Sequence, residues 1–249
     1  MRRDNADNGS RAAKDCLVLT TKDQHNICAY CEKKISADSD DNAGKTPRGQ
    51  VEHFHQKSAV SDGNNLHLDW KNMLAVCDGG RLPSVDNKVQ HQRPSELSCD
   101  QHKNQVIQQG QIPDSCHGYI LNPLTMPSFP NIFTLNKSNG HIIPDVTACK
   151  KVQSFLKPNE YRSAEELVQK TIDVLNLNCN RLTRIRLLII KDIERTKEFL
   201  RQRQTPKQEM LKSLQRKYFK DQWPEFFTAK RCCLGEIAEA YLREINYIC

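Results

Sequence analysis

The feature that most limits how this chain can fold is the placement of its cysteines. There are eleven. The pair in Cys28-Ala29-Tyr30-Cys31 has the spacing at which two thiolates reach one zinc ion from a tight turn. Zinc needs two further ligands, and the best offers are Cys77, which closes the apolar run NMLAVC, and Cys99, which opens CDQHK. At this composition chance alone supplies about 0.5 C-x2-C pairs, so the first pair decides nothing by itself. Two other readings stand beside the four-cysteine zinc site: scattered buried thiols, and a set of Cys28 and Cys31 with His53 and His55. A disulfide framework is not expected. The cysteine count is odd, and the opening stretch MRRDNADNGSRAAKD has no apolar segment of the kind an export signal needs, so a reducing compartment is the expectation. No run approaches the roughly 18 apolar residues of a membrane span.

The rest of the chain divides by character. All eight histidines and nine of the ten glycines lie at or before His141. Residues 160–249 instead carry 18 basic and 13 acidic side chains, +5 of the formal +7. The reading is an α+β protein in three parts: a segment 1–26 with little periodic signal, a loop-rich metal-competent module over 27–159, and a basic helical region over 160–249. Within the module, QVEHF at 50–54 and NMLAVC at 72–77 read as short strands. The segments 36–50 and 78–98 read as loops, and SNGHI at 138–142 as a hairpin around Asn139-Gly140. From Ser163 the period is helical. Ser163 with Glu166 forms a capping box, and Leu182, Ile185, Leu188, Ile189, Ile193, Phe199 and Leu200 mark one face of a long helix. Thr205-Pro206 reads as a cap followed by a proline at the first helical position. Further helices carry Met210, Leu211, Leu214 and Tyr218, then Ile237, Tyr241 and Ile245.

A second group of residues could do chemistry. Glu52-His53 lies in VEHFH. Neighbours on a strand point to opposite faces unless a twist or bulge brings them together. A strand ending there could present Glu52 to a cation and His53 to a water, and histidine is the natural base near neutral pH. An ordinary strand with two exposed polar groups would carry the same pair. Ser39-x4-Gly44-Lys45-Thr46 has the tail of a phosphate-binding loop, but a serine stands at its first position and no apolar strand precedes it, so no nucleotide site is expected there. His67, His91, His117 and His141 lack ligand-spaced companions and read as surface residues. His102 could join a site with Asp100 or sit on a helix surface.

The order of these pieces carries a resemblance. C-x2-C, then Glu52-His53, then Trp70-Lys71-Asn72, then Cys77, then Cys99-Asp100-x2-Lys103 resembles the zinc-knuckle HNH endonucleases. More closely, CAYCE at 28–32, VEHFHQKS at 51–58, LDWKNMLAVC at 68–77, CDQHK at 99–103, LNP at 121–123, IIPD at 142–145 and TIDVLNLNCNRLTRIR at 171–186 resemble the PtuB-type nucleases of Septu and retron anti-phage systems. The resemblance covers roughly residues 27–190. It departs where many relatives have Arg-Pro and this chain has His55-Gln56, where the last motif position is Asp100 and not His or Asn, and in its short run before the first cysteine.

What the resemblance implies is a zinc-stabilised ββα-metal (HNH) core with a helical C-terminal region. Cys28, Cys31, Cys77 and Cys99 would hold structural zinc. Glu52 and Asp100 would offer oxygen ligands to a catalytic divalent cation, magnesium or manganese, as hard cations prefer. His53 would take a proton from water, Asn72 would hold the backbone carrying it, and Lys57 and Lys103 would be weak phosphate contacts. The implied activity is phosphodiester hydrolysis, on DNA more than RNA, in the bacterial cytoplasm, with a PtuA-type ABC ATPase as partner. In a retron setting a reverse transcriptase with its multicopy single-stranded DNA would join them. The alternatives are an RNA-cleaving effector of a retron system and a non-catalytic zinc-ribbon scaffold.

Overall fold

The structure is a computed structural model, and it describes residues 4–37, 49–55, 65–81, 94–220 and 223–247. Lys57, the phosphate-loop-like stretch at 39–46 and His91 lie outside the described residues. The chain forms two compact units, Met1–Cys116 and His117–Cys249. The composition shift near residue 160 therefore does not coincide with this division, because the hairpin predicted around Asn139-Gly140 belongs to the second unit.

The first unit is built on very little regular structure: α1 (Asp4–Asp23), β1 (Gln50–His53), β2 (Met73–Val76) and α2 (Cys99–Gln108). Strands β1 and β2 are antiparallel, with Glu52 opposite Leu74 and His53 opposite Met73. The core beneath them is small, with Ile35, Phe54, Leu74, Ala75 and Val76 at 2% exposure or less. Helix α1 corrects the reading of residues 1–26 as aperiodic. Among its described side chains, residues 11–23, the buried positions are Leu17, Thr20 and Thr21, a helical spacing on which two of three residues are polar, so apolar periodicity does not reveal it. Beyond its end, Gln24 acts as a one-residue strand. Its amide accepts from Ala75 N–H at 2.7 Å and donates to the Ala75 carbonyl at 2.8 Å, satisfying the outer edge of β2 where a third strand would otherwise sit.

The second unit holds the hairpin β3 (Phe133–Asn136) and β4 (His141–Pro144) with α3 (Val146–Val152), α4 (Ala164–Val174), α5 (Asn180–Gln202), α6 (Lys207–Tyr218), α7 (Phe227–Leu234) and α8 (Glu236–Glu244). The turn falls at residues 137–140 as expected, and Gly140 is required there. Its φ is +74°, and a Cβ would lie 2.6 Å from the Thr183 carbonyl oxygen of α5. Ser163 caps α4 by accepting from Glu166 N–H at 3.1 Å. The reciprocal arm of the box reaches one residue further back, since Glu166 accepts from Arg162 N–H at 2.8 Å. Helix α6 starts one residue later than predicted, with Pro206 itself at the cap position. Buried Leu167, Ile172, Leu182, Ile193, Leu214 and Leu242 form the interior of this unit. Among the described residues no helix is long and apolar enough to cross a membrane.

Candidate functional site

The four cysteines at 28, 31, 77 and 99 converge, their sulfurs all lying within 4.8 Å of one another. The closest approaches are 3.7 Å for Cys31–Cys77, 3.8 Å for Cys77–Cys99 and 3.9 Å for Cys28–Cys99. A tetrahedron with metal–sulfur arms of about 2.3 Å has edges of about 3.8 Å, so the spacing is that of one zinc ion's ligand shell. All four are at 3% exposure or less. Mutual hydrogen bonding, with Cys28 first, and then burial push the Cys31 and Cys99 thiols well above the ordinary thiol range. Four thiolates could share this space only around a cation. The alternative set fails, because His53 and His55 bond elsewhere: His53 Nε2 lies 3.1 Å from the His67 carbonyl oxygen, and His55 Nδ1 lies against that of Ser115.

Local geometry explains the convergence. Cys28 and Cys31 sit in a turn closed by a bridge between Ile27 and Lys34 and by Glu32 N–H donating to the Cys28 carbonyl at 2.9 Å. Ala29 N–H donates to the Ala75 carbonyl at 3.0 Å, which hangs the turn from β2. Cys77 follows β2 directly. Gly79, at φ +62°, then lets the chain press on the start of α2, where a Cβ would lie 2.4 Å from the Ser98 carbonyl oxygen. That close approach brings Cys99, the first residue of α2, to Cys77.

Cys99 also sets where its neighbour points. The buried residues of α2 are Cys99, Asp100, Lys103, Val106 and Ile107, one helical face on which Asp100 and Lys103 stand at three-residue spacing. On the strand side, Glu52 meets this face. Its carboxylate pairs with Lys103 Nζ, and the Asp100 carboxyl is near enough to act on it electrostatically. Burial first, then that carboxyl neighbour, push Glu52 up to about 8, with Lys103 pulling the other way. Asn104 Nδ2 donates to Asp100 Oδ1 at 2.7 Å. Lys103 is only 2% exposed, so the residue offered by the sequence as a phosphate contact is an internal ammonium. It also donates to the Phe54 carbonyl at 3.3 Å.

Asn72 grips the chain just beyond His53. Its Oδ1 accepts from His55 N–H at 2.7 Å, and its Nδ2 donates to the carbonyls of His55 and Leu66, each at 2.9 Å. His53 itself is not brought together with the carboxyl pair. Pairing in β1 is regular through His53, so Glu52 and His53 project from opposite faces. The imidazole stacks on His67, ring centroids 5.4 Å apart at 21°, and borders a groove of about 650 Å³ between α1 and the hairpin. Sequence reasoning set His67 aside, and nothing in its spacing marks it, because the contact exists only once the hairpin returns.

Tyr30 was missed as well. Its hydroxyl is buried with no hydrogen-bond partner among the described residues. Burial first, then the charges of Glu52 and Asp100, push it well above the ordinary phenol range. Its position between two cysteine ligands was the available signal. Cys116 is buried, and desolvation first pushes it up to about 11, so it is a protonated thiol at neutral pH.

The site thus has two parts: a four-cysteine cluster with the spacing of a zinc site, and a buried carboxyl pair on the helix that begins at its fourth cysteine. Among the described residues the cysteine cluster alone gathers three or more metal-ligating side chains, and the carboxyl pair offers two. No protein-family model matches the chain. The chain is 39% identical over 168 residues, 66% of its length, to a protein of Escherichia coli named as a candidate HNH endonuclease of retron Ec83. It spans 60% of the length of that relative.

Proposed function

We propose that the protein is a metal-dependent HNH endonuclease that hydrolyses phosphodiester bonds, DNA more than RNA, as the nuclease effector of an anti-phage system. The observation that carries this reading is the adjacency of Cys99 and Asp100. The residue after the fourth cysteine ligand is the carboxylate that meets Glu52 from the strand, in a strand–strand–helix order that resembles the ββα-metal core. The likeness to the retron protein supports the same reading.

Glu52 and Asp100 would hold a divalent cation. Two carboxylates, with water and substrate phosphate completing the shell, suit magnesium or manganese. A cation bound there would displace the proton that Glu52 holds below about pH 8, leaving two carboxylates against the single Lys103 ammonium. When bound, the cation supplies charge stabilisation to the phosphate and its leaving oxygen. The chain's own residues do the rest. His53 accepts the proton of the attacking water. Asn72 fixes the bend at Phe54 and His55, so the imidazole stays at the strand end, the place where one phosphate can meet both faces of β1. Lys103 holds Glu52 in position from within. Zinc on the four cysteines holds the start of α2, and with it Asp100.

The partner in this reading is an ABC-type ATPase of the PtuA kind, with a reverse transcriptase and its single-stranded DNA in a retron setting. The second unit supplies exposed apolar side chains for docking, Phe155 at 77%, Leu188 at 65% and Phe199 at 51%. Two observations favour a second reading, a zinc-ribbon scaffold without activity: Glu52 is already paired with Lys103, and His53 faces the other side of the hairpin. The experiment that separates them incubates purified protein, with its ATPase, with plasmid and total RNA in Mn²⁺. Cleavage that disappears in His53→Ala while zinc content holds supports the nuclease. Absence of cleavage, or equal cleavage in His53→Ala, refutes it.

A further inference from the structure

Helix α1 has no role in the site as described so far, yet it forms one wall of the groove that His53 borders. We infer that this groove receives an unpaired nucleoside adjoining the scissile phosphate, so that the substrate is a single strand or a locally unpaired stretch. The inference rests on the nuclease reading and deepens it. A phosphate presented to His53 must place one of its two attached nucleosides against whatever adjoins that imidazole, and on this face the neighbour is the groove. Its volume of about 650 Å³ lies within the range of about 300–1,000 Å³ typical of sites that enclose single small molecules. A base pair still stacked in a duplex cannot enter a concavity of that size.

The chemistry of the walls fits the same occupant. The floor is apolar, from Leu17, Val51 and Met73, and the α1 wall is lowered by two exposed small residues, Ala12 and Ala13. Leu68, 71% exposed, stands at the rim, apolar surface that a base would cover. Among the described residues the polar groups of the lining are the two imidazoles, the Gln50 amide, the Arg81 guanidinium and the Asp78 carboxylate, donors and acceptors for the edge of a base, with Arg81 the one cation available to a flanking phosphate. The His53–His67 stack presents two rings within 21° of parallel, a face on which a base can continue, as bases do on aromatic platforms. The apolar floor reads no sugar hydroxyl, so deoxyribose and ribose are distinguished by experiment.

The test fills the groove from α1. Ala13→Trp and, independently, Ala12→Phe change exposed helix positions, and circular dichroism and zinc content confirm that each variant is folded. A labelled single-stranded 20-mer, in DNA and RNA forms, is titrated in Ca²⁺ and followed by fluorescence polarisation. Cleavage of the same strands, of their duplexes and of bis(p-nitrophenyl) phosphate is measured in Mn²⁺. The parent is expected to prefer single strands over duplexes by at least 10-fold in kcat/KM. The groove variants should bind the strand at least 10-fold more weakly and raise its KM to match, with hydrolysis of the nucleoside-free diester unchanged. Equal strand binding by parent and both variants overturns the inference, as does a duplex cut as fast as its single strand. If the parent hydrolyses no diester, the nuclease reading fails, and the polarisation titration still decides whether the groove holds a strand.

Discussion

Asn72→Ala is the perturbation whose effect follows most directly from the geometry. The side chain is 1% exposed and makes three hydrogen bonds of 2.7–2.9 Å, all to backbone groups. Alanine leaves one N–H and two carbonyls without partners. A neutral hydrogen bond contributes about 1 kcal/mol net. His55 and Leu66 are half-buried, so water can reach the freed backbone groups, each loss stays near that net value, and the three together cost about 3 kcal/mol. With a denaturant slope of about 1.5 kcal/mol per molar urea, the unfolding midpoint of the first unit should fall by about 2 M. Trp70 stands two residues away in the same turn and reports the change by fluorescence once Trp223 of the other unit is replaced by Phe. Asn72→Asp makes the reasoning stricter. It keeps an acceptor for His55 N–H but turns a carboxylate toward two carbonyl oxygens, so at neutral pH it should be no more stable than the alanine variant. A midpoint for Asn72→Ala within about 0.3 M of the parent would refute the backbone-clamp role, since three lost bonds cannot then have held the bend.

Three further outcomes are expected. Cys77→Ser or Cys99→Ser should abolish stoichiometric zinc and unfold the first unit, read by metal analysis and circular dichroism; either variant keeping one zinc per chain would exclude the four-sulfur site. Glu52, pushed up to about 8 from an ordinary value near 4.5, binds its proton more tightly folded than unfolded. In protein loaded with zinc alone, stability should therefore be fullest below about pH 4.5, decline as pH rises toward 8, and level off above it. Glu52→Gln should remove that part of the slope in urea midpoints taken at pH 5, 6.5 and 8. Finally, Glu52→Ala and Asp100→Ala should lose cleavage at low Mn²⁺ and recover part of it at high Mn²⁺, whereas His53→Ala should not recover at any concentration.

The four-cysteine cluster was legible in the sequence because its signal is one of order. Each cysteine pair is ordinary, and the turn and strand cues between them fix where each must go. The hairpin at Asn139-Gly140 was legible from its turn and the helices from Ser163 onward from their period, with a side-chain cap at α4 alone among them. Helix α1 was not, because Thr20 and Thr21 take positions where apolar residues would have given the period away, and Gln24 does by side-chain hydrogen bonds what a strand does by backbone. The buried ion pair was half legible. Asp100 and Lys103 share the helical phase of Val106 and Ile107, and charged residues on an apolar face point to a partner across it. What spacing could not give was that the partner is Glu52 from a strand, or that His53 would turn from it toward His67. Those contacts depend on the twist and pairing of a hairpin whose connecting residues carry no period.

A two-stranded ribbon of four-residue strands has little stability of its own, and the core beneath it is small. A zinc ion on the four cysteines would therefore position as well as stabilise, and the two roles can be separated. Histidine ligates zinc in Cys3His sites, at about 2.0–2.1 Å instead of about 2.3 Å but through a longer side chain. Cys31→His and Cys99→His change the charge of the cluster equally, so both should retain zinc to a similar degree. They differ in what the longer ligand displaces. At position 31 the change is absorbed in a turn that carries neither carboxylate of the pair. At position 99 it moves the first residue of α2, and with it Asp100, which must keep its contact with Glu52 while the Gly79 turn presses from the other side. With zinc bound one-to-one in both, Cys99→His should cleave at least 10-fold more slowly than Cys31→His and need more Mn²⁺ for half its maximal rate. Equal rates and equal Mn²⁺ dependence would mean that the fourth cysteine fixes the metal without fixing the helix, and that Asp100 owes its place to packing along Val106 and Ile107 instead.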